Sequence, residues 1–373
     1  MPSCLEGLKI LEFSENWRAA SIAGRLLAEL GAELIKVEVG EPDALRGHPP
    51  YLEGTDDSYA FSILHCNKKS VLVERLDSRV DNLLKQGDAV LIDVTYARER
   101  GIFETLTDDI QARAVCCISP FGLSGPRAGY VGGDFIAQAA SGIMATTGQA
   151  GGAPTRVGIQ FAEYIGALFA VSGVLGAVEY RQRTGGGQVI DVSLQDAAIP
   201  YLSTFAPHVL VLGHQPTRMG SQHPIAVPWN IYEAADGNVT ICALADKMWE
   251  NLVKAMGLTD SLGGGQYATQ ALRSEKRQEI DSAVAQWVAG QTVVRVVELL
   301  EAADVPVAII QTVPGLLRDP QFNFRKMVLQ LKTAGTQREV ICPGSIYTMS
   351  ECPGSVISLG PRPGEHNSEY GIV

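Results

Sequence analysis

Apolar residues in the first third of the chain come in short runs of strand length, separated by stretches with helical spacing. Residues 8–13 (LKILEF) and 33–38 (ELIKVE) read as strands on either side of a helix over 19–30. Residues 70–74 (SVLVE), 88–94 (DAVLIDV) and 114–119 (AVCCIS) continue the series. Apolar strands alternating with helices predict an open, mostly parallel sheet covered by helices. Two long helices are expected next, over 134–148 and 160–183. The second carries Gly166, Ala170, Gly173 and Ala177 at three- to four-residue spacing, a smooth face that lets another backbone approach closely. Arg181, Gln182 and Arg183 suit its C-terminal dipole. The glycines at 185–187 stop it, because a helix C-terminus presents carbonyls rather than the amides that a phosphate needs. A strand over 188–193 follows.

Near residue 225 the texture changes. Residues 231–244 read as two strands joined by an Asp236-Gly237 turn. Helices are expected at 245–256, 275–289 and 291–303, then a strand at 305–310. The division is a large α/β domain over 1–224, completed by a Gly- and Pro-rich tail at 330–373, and a smaller α+β domain over 225–329. No tandem repeat is visible.

Composition narrows the function. The chain has 373 residues, 46% of them hydrophobic and 19% charged, enough apolar surface to fold. Its net charge of −11 argues against a nucleic-acid partner, which needs a basic face. The seven cysteines are odd in number and lack the paired spacings of a zinc site or disulfide framework. They read as reduced thiols of a cytoplasmic protein, and no metal is expected. The N-terminal ten residues carry Glu6 and no apolar stretch, which gives no signal peptide. The most apolar stretch, residues 165–178, falls short of the ~18 residues that cross a bilayer, so it reads as a buried helix and no membrane partner is expected. A dinucleotide-binding turn would place GxGxxG after the first strand. Residues 14–20 (SENWRAA) hold no glycine, and NAD and FAD are discounted.

Ordered fragments along nearly the whole chain carry more. They are residues 24–38 (GRLLAELGAELIKVE), 67–70 (NKKS), 122–126 (GLSGP), 134–148 (DFIAQAASGIMATTG), 154–158 (PTRVG), 183–188 (RTGGGQ), 191–196 (DVSLQD), 236–237 (DG), 319–321 (DPQ) and 364–366 (GEH). In this order and spacing the chain resembles the class III CoA-transferases, the group that includes formyl-CoA:oxalate and carnitine CoA-transferases and shares its fold with α-methylacyl-CoA racemase. The resemblance implies an intertwined, ring-shaped dimer, coenzyme A bound as an acyl-CoA substrate, and a small carboxylic acid as the second substrate. It also implies an aspartate nucleophile shortly after the PTRVG segment, attacking the thioester to form a mixed anhydride. Residues 159–166 (IQFAEYIG) place Glu163 there. Glutamate keeps the carboxyl group and extends it by ~1.5 Å. Read by position alone, Glu163 is a helix-start charge with no chemical role.

Further site residues follow from the same resemblance. Trp17 and Arg18 fall where the nucleotide end of CoA lies, although Arg18-Ala19-Ala20 replaces the usual Ala-Gly-Pro. Trp17 is a stacking partner for adenine or a plug at the helix start. His65, Asn67, Lys68 and Lys69 match a CoA-contacting segment, with the two lysines as phosphate ligands or a solvated turn. Residues 92–97 (IDVTYA) replace the family's Glu-Asn-Phe-Arg-Pro-Gly, leaving Arg100 as the cation for a phosphate there. Gly220, Gln222 and His223 match a loop over the acyl end, with His223 also suited to cap a domain junction. Two alternatives stay open. One is a non-catalytic subunit paired with a catalytic paralogue as a heterodimer. The other is a 2-methylacyl-CoA racemase, whose base histidine would precede Asp134, where this chain has Gly133.

Overall fold

The structure, a computed structural model, describes residues 3–53, 55–107, 113–332 and 339–372. It falls into two compact units: Met1–Met144 with Arg156–Gln215 and Pro320–Val373, and Ala145–Thr155 with Pro216–Asp319.

The first unit alternates β1 (Lys9–Phe13), α1 (Ala19–Glu29), β2 (Glu33–Val39), α2 (Tyr59–Leu64), β3 (Lys69–Val73), α3 (Ser78–Gln86), β4 (Ala89–Asp93), α4 (Val94–Glu99), α5 (Phe103–Thr107) and β5 (Ala114–Ser119). Then come α6 (Asp134–Ala140), α7 (Ile143–Thr146), α8 (Phe161–Thr184) and β6 (Gln188–Ser193). All six strands are parallel, in the order β3-β2-β1-β4-β5-β6. Leu11 lies between Ile35 and Val90, and Cys117 pairs with Asp191. The two-residue period sends Ile10, Leu34, Leu91 and Cys116 to one face, under α1 and α8. It sends Leu11, Phe13, Ile35, Ile92 and Cys117 to the other, under α3, α4 and α5.

The order reverses between β1 and β4, since β1 leads outward to β2 while β4 lies on its other side. The C-terminal ends of these two strands mark the switch point where such sheets usually bind ligands. A loop leaves β1 at Ser14, while β4 runs straight into α4 with Asp93 as its N-cap.

Three sequence expectations need correction. The helix over 134–148 is broken in two: Gly142, at φ 90°, ends the first segment, and Asp134 starts it. The small-residue face of α8, by contrast, admits close neighbours as expected, here from its own chain: a Cβ at Gly166 would meet Leu194 Cδ2 at 2.4 Å and Ala19 Cβ at 3.6 Å. The helix also runs 24 residues, long and apolar enough by length and composition to cross a membrane, although 56% of its apolar window is buried inside the protein. Finally, the cysteines are not all thiols. Cys4 and Cys352 form a disulfide (S–S 1.99 Å) across 348 positions, because the tail folds back onto the N-terminal turn, a pairing that local spacing rules do not detect.

In the second unit β7 (Trp229–Ala234), β8 (Gly237–Cys242) and β9 (Val307–Ile309) form an antiparallel sheet. The helices Asp246–Ala255, Arg277–Ala289 and Val293–Glu301 cover it around Trp249, Ile280, Val284 and Leu300. The tail adds the antiparallel hairpin β10 (Val328–Lys332) and β11 (Glu339–Pro343) to the first unit.

Candidate active site

The loop after β1 is held from beneath by a buried polar cluster. Lys36 Nζ donates to Ser14 O (2.7 Å), and the Ser14 hydroxyl donates to Glu12 (2.8 Å). Asn16, in the left-handed region at φ 57°, donates its N–H to Asp43 Oδ1 (2.9 Å). These bonds aim the first turn of α1, with Arg18 in its N-cap position and no side chain capping it.

A carboxylate from α8 occupies that vacant cap. Ala19 N–H donates to Glu163 Oε2 at 2.6 Å, and Arg18 Nη1 lies 3.4 Å from Oε1. Glu163 itself is placed by a cap: Gln160 makes no side-chain cap bond, and Asp134 Oδ1 accepts from the amides of Ala162 (2.7 Å) and Glu163 (3.4 Å) instead. The chain therefore brings two helix N-termini together around one carboxyl group.

Glu163 is 2% exposed, yet it lines the floor of a surface cleft of ≈ 500 Å³ with Asn16, Trp17, Arg18, Asp134, Arg156 and Gln160. Its pKa is pushed up to about 7, chiefly by burial, with Arg18 opposing the shift and Asp93 adding to it. Asp93, also buried, is raised by desolvation too, and its Oδ2 lies 3.8 Å from Arg18 Nε. One guanidinium thus sits between two buried carboxyl groups, and it cannot stabilise both as anions fully. The result is a carboxyl group that holds a proton below neutral pH and is an anion above it.

Gly133 completes the arrangement. A Cβ there would meet Arg18 Nη1 at 2.3 Å, and Nη1 also donates to Gly132 O at 3.1 Å. The guanidinium occupies the space that a side chain at 133 would fill.

Of the residues expected at the site, Trp17, Arg18 and Glu163 share this cleft. Arg100 lies nearby in the fold but is engaged, bonded to Glu15 (2.9 Å) and Val39 O (3.2 Å) and stacked on Tyr96. His65 and Lys68 are buried: Lys68 Nζ donates to Glu12 Oε2 (2.6 Å) and Ser21 O (2.7 Å) and lies 3.0 Å from His65 Nδ1. Lys68 is a core cation in this structure, out of reach of a phosphate in solvent. Asn67 anchors the tail by donating to Ser355 O (2.7 Å) and accepting from Ile357 N–H (2.8 Å). Lys69 pairs with Glu33 (3.1 Å) and with Glu369. Gly220, Gln222 and His223 belong to the second unit. There Gly220 N–H donates to Gly148 O (2.9 Å), and Gln222 donates to Asp281 (2.9 Å). His223 stacks on Trp229 while its Nδ1 accepts from the amides of Ile225 and Ala226, a structural cap.

Sequence reasoning missed Asp93, Asp134, Gly133 as the space-maker for Arg18, and Arg156 at the cleft. Asp134 had a local signal, an acid opening a helix, but its partners lie 28 positions away. Among the described residues, no group of three or more His, Cys, Asp or Glu is arranged to hold a metal ion.

Similarity to known proteins identifies the family. A succinyl-CoA:mesaconate CoA-transferase of Haloarcula hispanica is 31% identical over 98% of this chain and 95% of its own length. A succinyl-CoA–D-citramalate CoA-transferase of Chloroflexus aurantiacus is 31% identical over 99% of this chain and 93% of its own. The human succinyl-CoA:glutarate CoA-transferase is 27% identical over 98% and 84%. Among solved structures, a CaiB/BaiF family protein from Brucella suis superposes with a TM-score of 0.86 at 28% identity, covering 99% of this chain and 98% of that one. The profile of CoA-transferase family III matches residues 5–367, and the chain belongs to that family of enzymes.

Proposed function

We propose that this CoA-transferase moves CoA from succinyl-CoA to a second small dicarboxylic acid, with Glu163 as the covalent acceptor. The observation that carries the reading is the carboxyl group of Glu163 at the floor of a cleft, on two converging helix N-termini. A carboxylate whose acid titrates near 7 is more basic than a solvated glutamate, and hence the better nucleophile once ionised.

In the proposed cycle the Glu163 carboxylate attacks the thioester carbonyl and CoA leaves as its thiolate, giving a mixed anhydride. The thiolate attacks the Glu163 carbonyl and expels the donor acid, leaving CoA as a thioester on the enzyme. The acceptor carboxylate attacks that thioester, and the thiolate then takes the new acyl group and frees Glu163. Water is neither consumed nor released. With Arg18 committed to Glu163 and Asp93, Arg156 in the same cleft is the cation for the far carboxylate of a dicarboxylic acyl group. The relatives named above act, by their names, on succinyl-CoA paired with mesaconate, citramalate or glutarate, which supports that substrate class. The exposed Tyr164, Leu168 and Phe169 of α8 are assigned to the contact with a second copy of the chain.

Racemisation is disfavoured because Gly133 stands where a racemase would carry its base histidine, and the Arg18 guanidinium fills the space beside it. The deciding experiment incubates the enzyme with succinyl-CoA and hydroxylamine and maps the product by mass spectrometry. A hydroxamate on Glu163 is expected. Its absence with every donor in an acyl-CoA panel would point instead to a scaffold subunit that needs a catalytic paralogue.

A further inference from the structure

Away from the cleft, Cys66 and Cys342 face each other with their Sγ atoms 3.4 Å apart, across 276 positions of sequence. Both are fully buried, beside Val356 and under Ile63, Leu329, Leu331 and Leu359. The two segments are fastened together independently of the sulfurs. Arg25 donates to Ile63 O (2.8 Å) on one side and to Pro343 O (3.0 Å) on the other, with Glu29 orienting it at 2.8 Å. Tyr59 donates to Ile341 O on the same strand. Bond formation therefore requires the sulfurs to close from 3.4 Å to a bonded ~2.05 Å, a shift within the reach of side-chain rotation, while the backbone is already in place. Cys116 and Cys117 are buried in two other clusters, on opposite faces of β5, and Cys4 and Cys352 are already paired.

We propose that Cys66 and Cys342 form a disulfide on exchange with a small-molecule disulfide, stapling β11 to the turn between α2 and β3. This would be a second covalent tie between the tail and the N-terminal half, beside Cys4–Cys352. It stands independently of the transfer mechanism. The Cys342 thiolate attacks one sulfur of the small disulfide and releases a first thiolate. Cys66, having lost its proton to solvent, attacks Cys342 Sγ and releases the second. One small disulfide is reduced to two thiols and the two protein thiols are oxidised by two electrons. Either sulfur can donate in the 3.4 Å contact; with Cys66 as the donor the Cys342 thiolate is favoured, and the Arg25 cation favours it further.

The test uses the full chain with Cys4–Cys352 intact. The protein is incubated with oxidised glutathione at pH 8, quenched in acid, denatured, alkylated with N-ethylmaleimide and mapped. Loss of two maleimide adducts and recovery of a peptide linking Cys66 to Cys342 are expected, with Cys116, Cys117 and Cys242 still alkylated. A parallel arm refolds the chain from urea in the same mixture, which removes the barrier of burial. Recovery of Cys66 and Cys342 as separate alkylated or glutathionylated residues in both arms overturns the proposal. In Cys66→Ser, Cys342 is expected to stop at its glutathione adduct. Full alkylation of Cys342 in that variant overturns its assignment as the attacking thiol.

Discussion

Glu163→Gln separates the cost of the buried carboxyl group from its use. The Glu163 pKa moves from 4.5 to about 7 on folding, and the residue is 2% exposed, so solvent screening barely discounts the shift. Each pH unit is worth ~1.4 kcal/mol, so holding Glu163 ionised in the folded enzyme above neutrality costs roughly 3 kcal/mol relative to the unfolded chain. The sign follows from proton counting. Between pH 4.5 and about 7 the unfolded chain has released this proton and the native state still binds it, so stability contributed by this group falls as pH rises through that window. Glutamine keeps an oxygen for the Ala19 N–H and removes the charge, at the loss of the 3.4 Å contact with Arg18. The variant should therefore be more stable than wild type by about 1–3 kcal/mol at pH 8 and nearly equal to it at pH 4.5, read from urea unfolding at the two pH values. It should also lose transfer, while the wild-type kcat/KM falls about tenfold per pH unit below about 7 as the carboxylate is protonated. Parallel stability-versus-pH curves for the two proteins, or retained transfer in the variant, would refute the reasoning.

Other perturbations test the supports of the site. Glu163→Asp draws the carboxyl group back by ~1.5 Å from the Ala19 amide and should cost about 100-fold in kcat, measured with succinyl-CoA. Arg18→Met removes the cation opposing the Glu163 shift and should move the acid limb of the pH–rate profile up by about one unit or more, with Arg18→Lys between it and wild type. Gly133→Ala puts a methyl group 2.3 Å from Arg18 Nη1 and should lower kcat/KM roughly 10- to 100-fold while the melting temperature changes little. Lys68→Met breaks a buried pair with Glu12 and should cost about 3–5 kcal/mol in urea unfolding. A raised KM for acyl-CoA without that loss of stability would return Lys68 to a phosphate-binding role.

The period of the apolar positions was enough to predict the parallel sheet, because strands buried on both faces must be apolar throughout, and β1 to β5 lie where those runs fall. The ordered fragments also located Glu163. What they could not convey is why that carboxyl group titrates near neutrality. Its shift is set first by burial and then by Arg18, Asp93 and Ala19, which are 145, 70 and 144 positions away and meet it only because β1 and β4 are neighbours at the reversal of strand order. The lysines of the NKKS segment show the same gap. In the sequence Lys68 and Lys69 are an identical pair, yet one is sealed beneath α1 with Glu12 and the other bridges Glu33 and Glu369 near the surface. The cysteines repeat it across 348 and 276 positions. By itself, then, the sequence determined a mostly parallel sheet covered by helices and which residue supplies the carboxyl group, since these rest on periodicity and on residue type. The charge state of that carboxyl group, the direction of each lysine and the pairing of the sulfurs were decided by the tertiary structure, because desolvation and hydrogen bonding depend on neighbours that only the folded chain brings within a few ångströms.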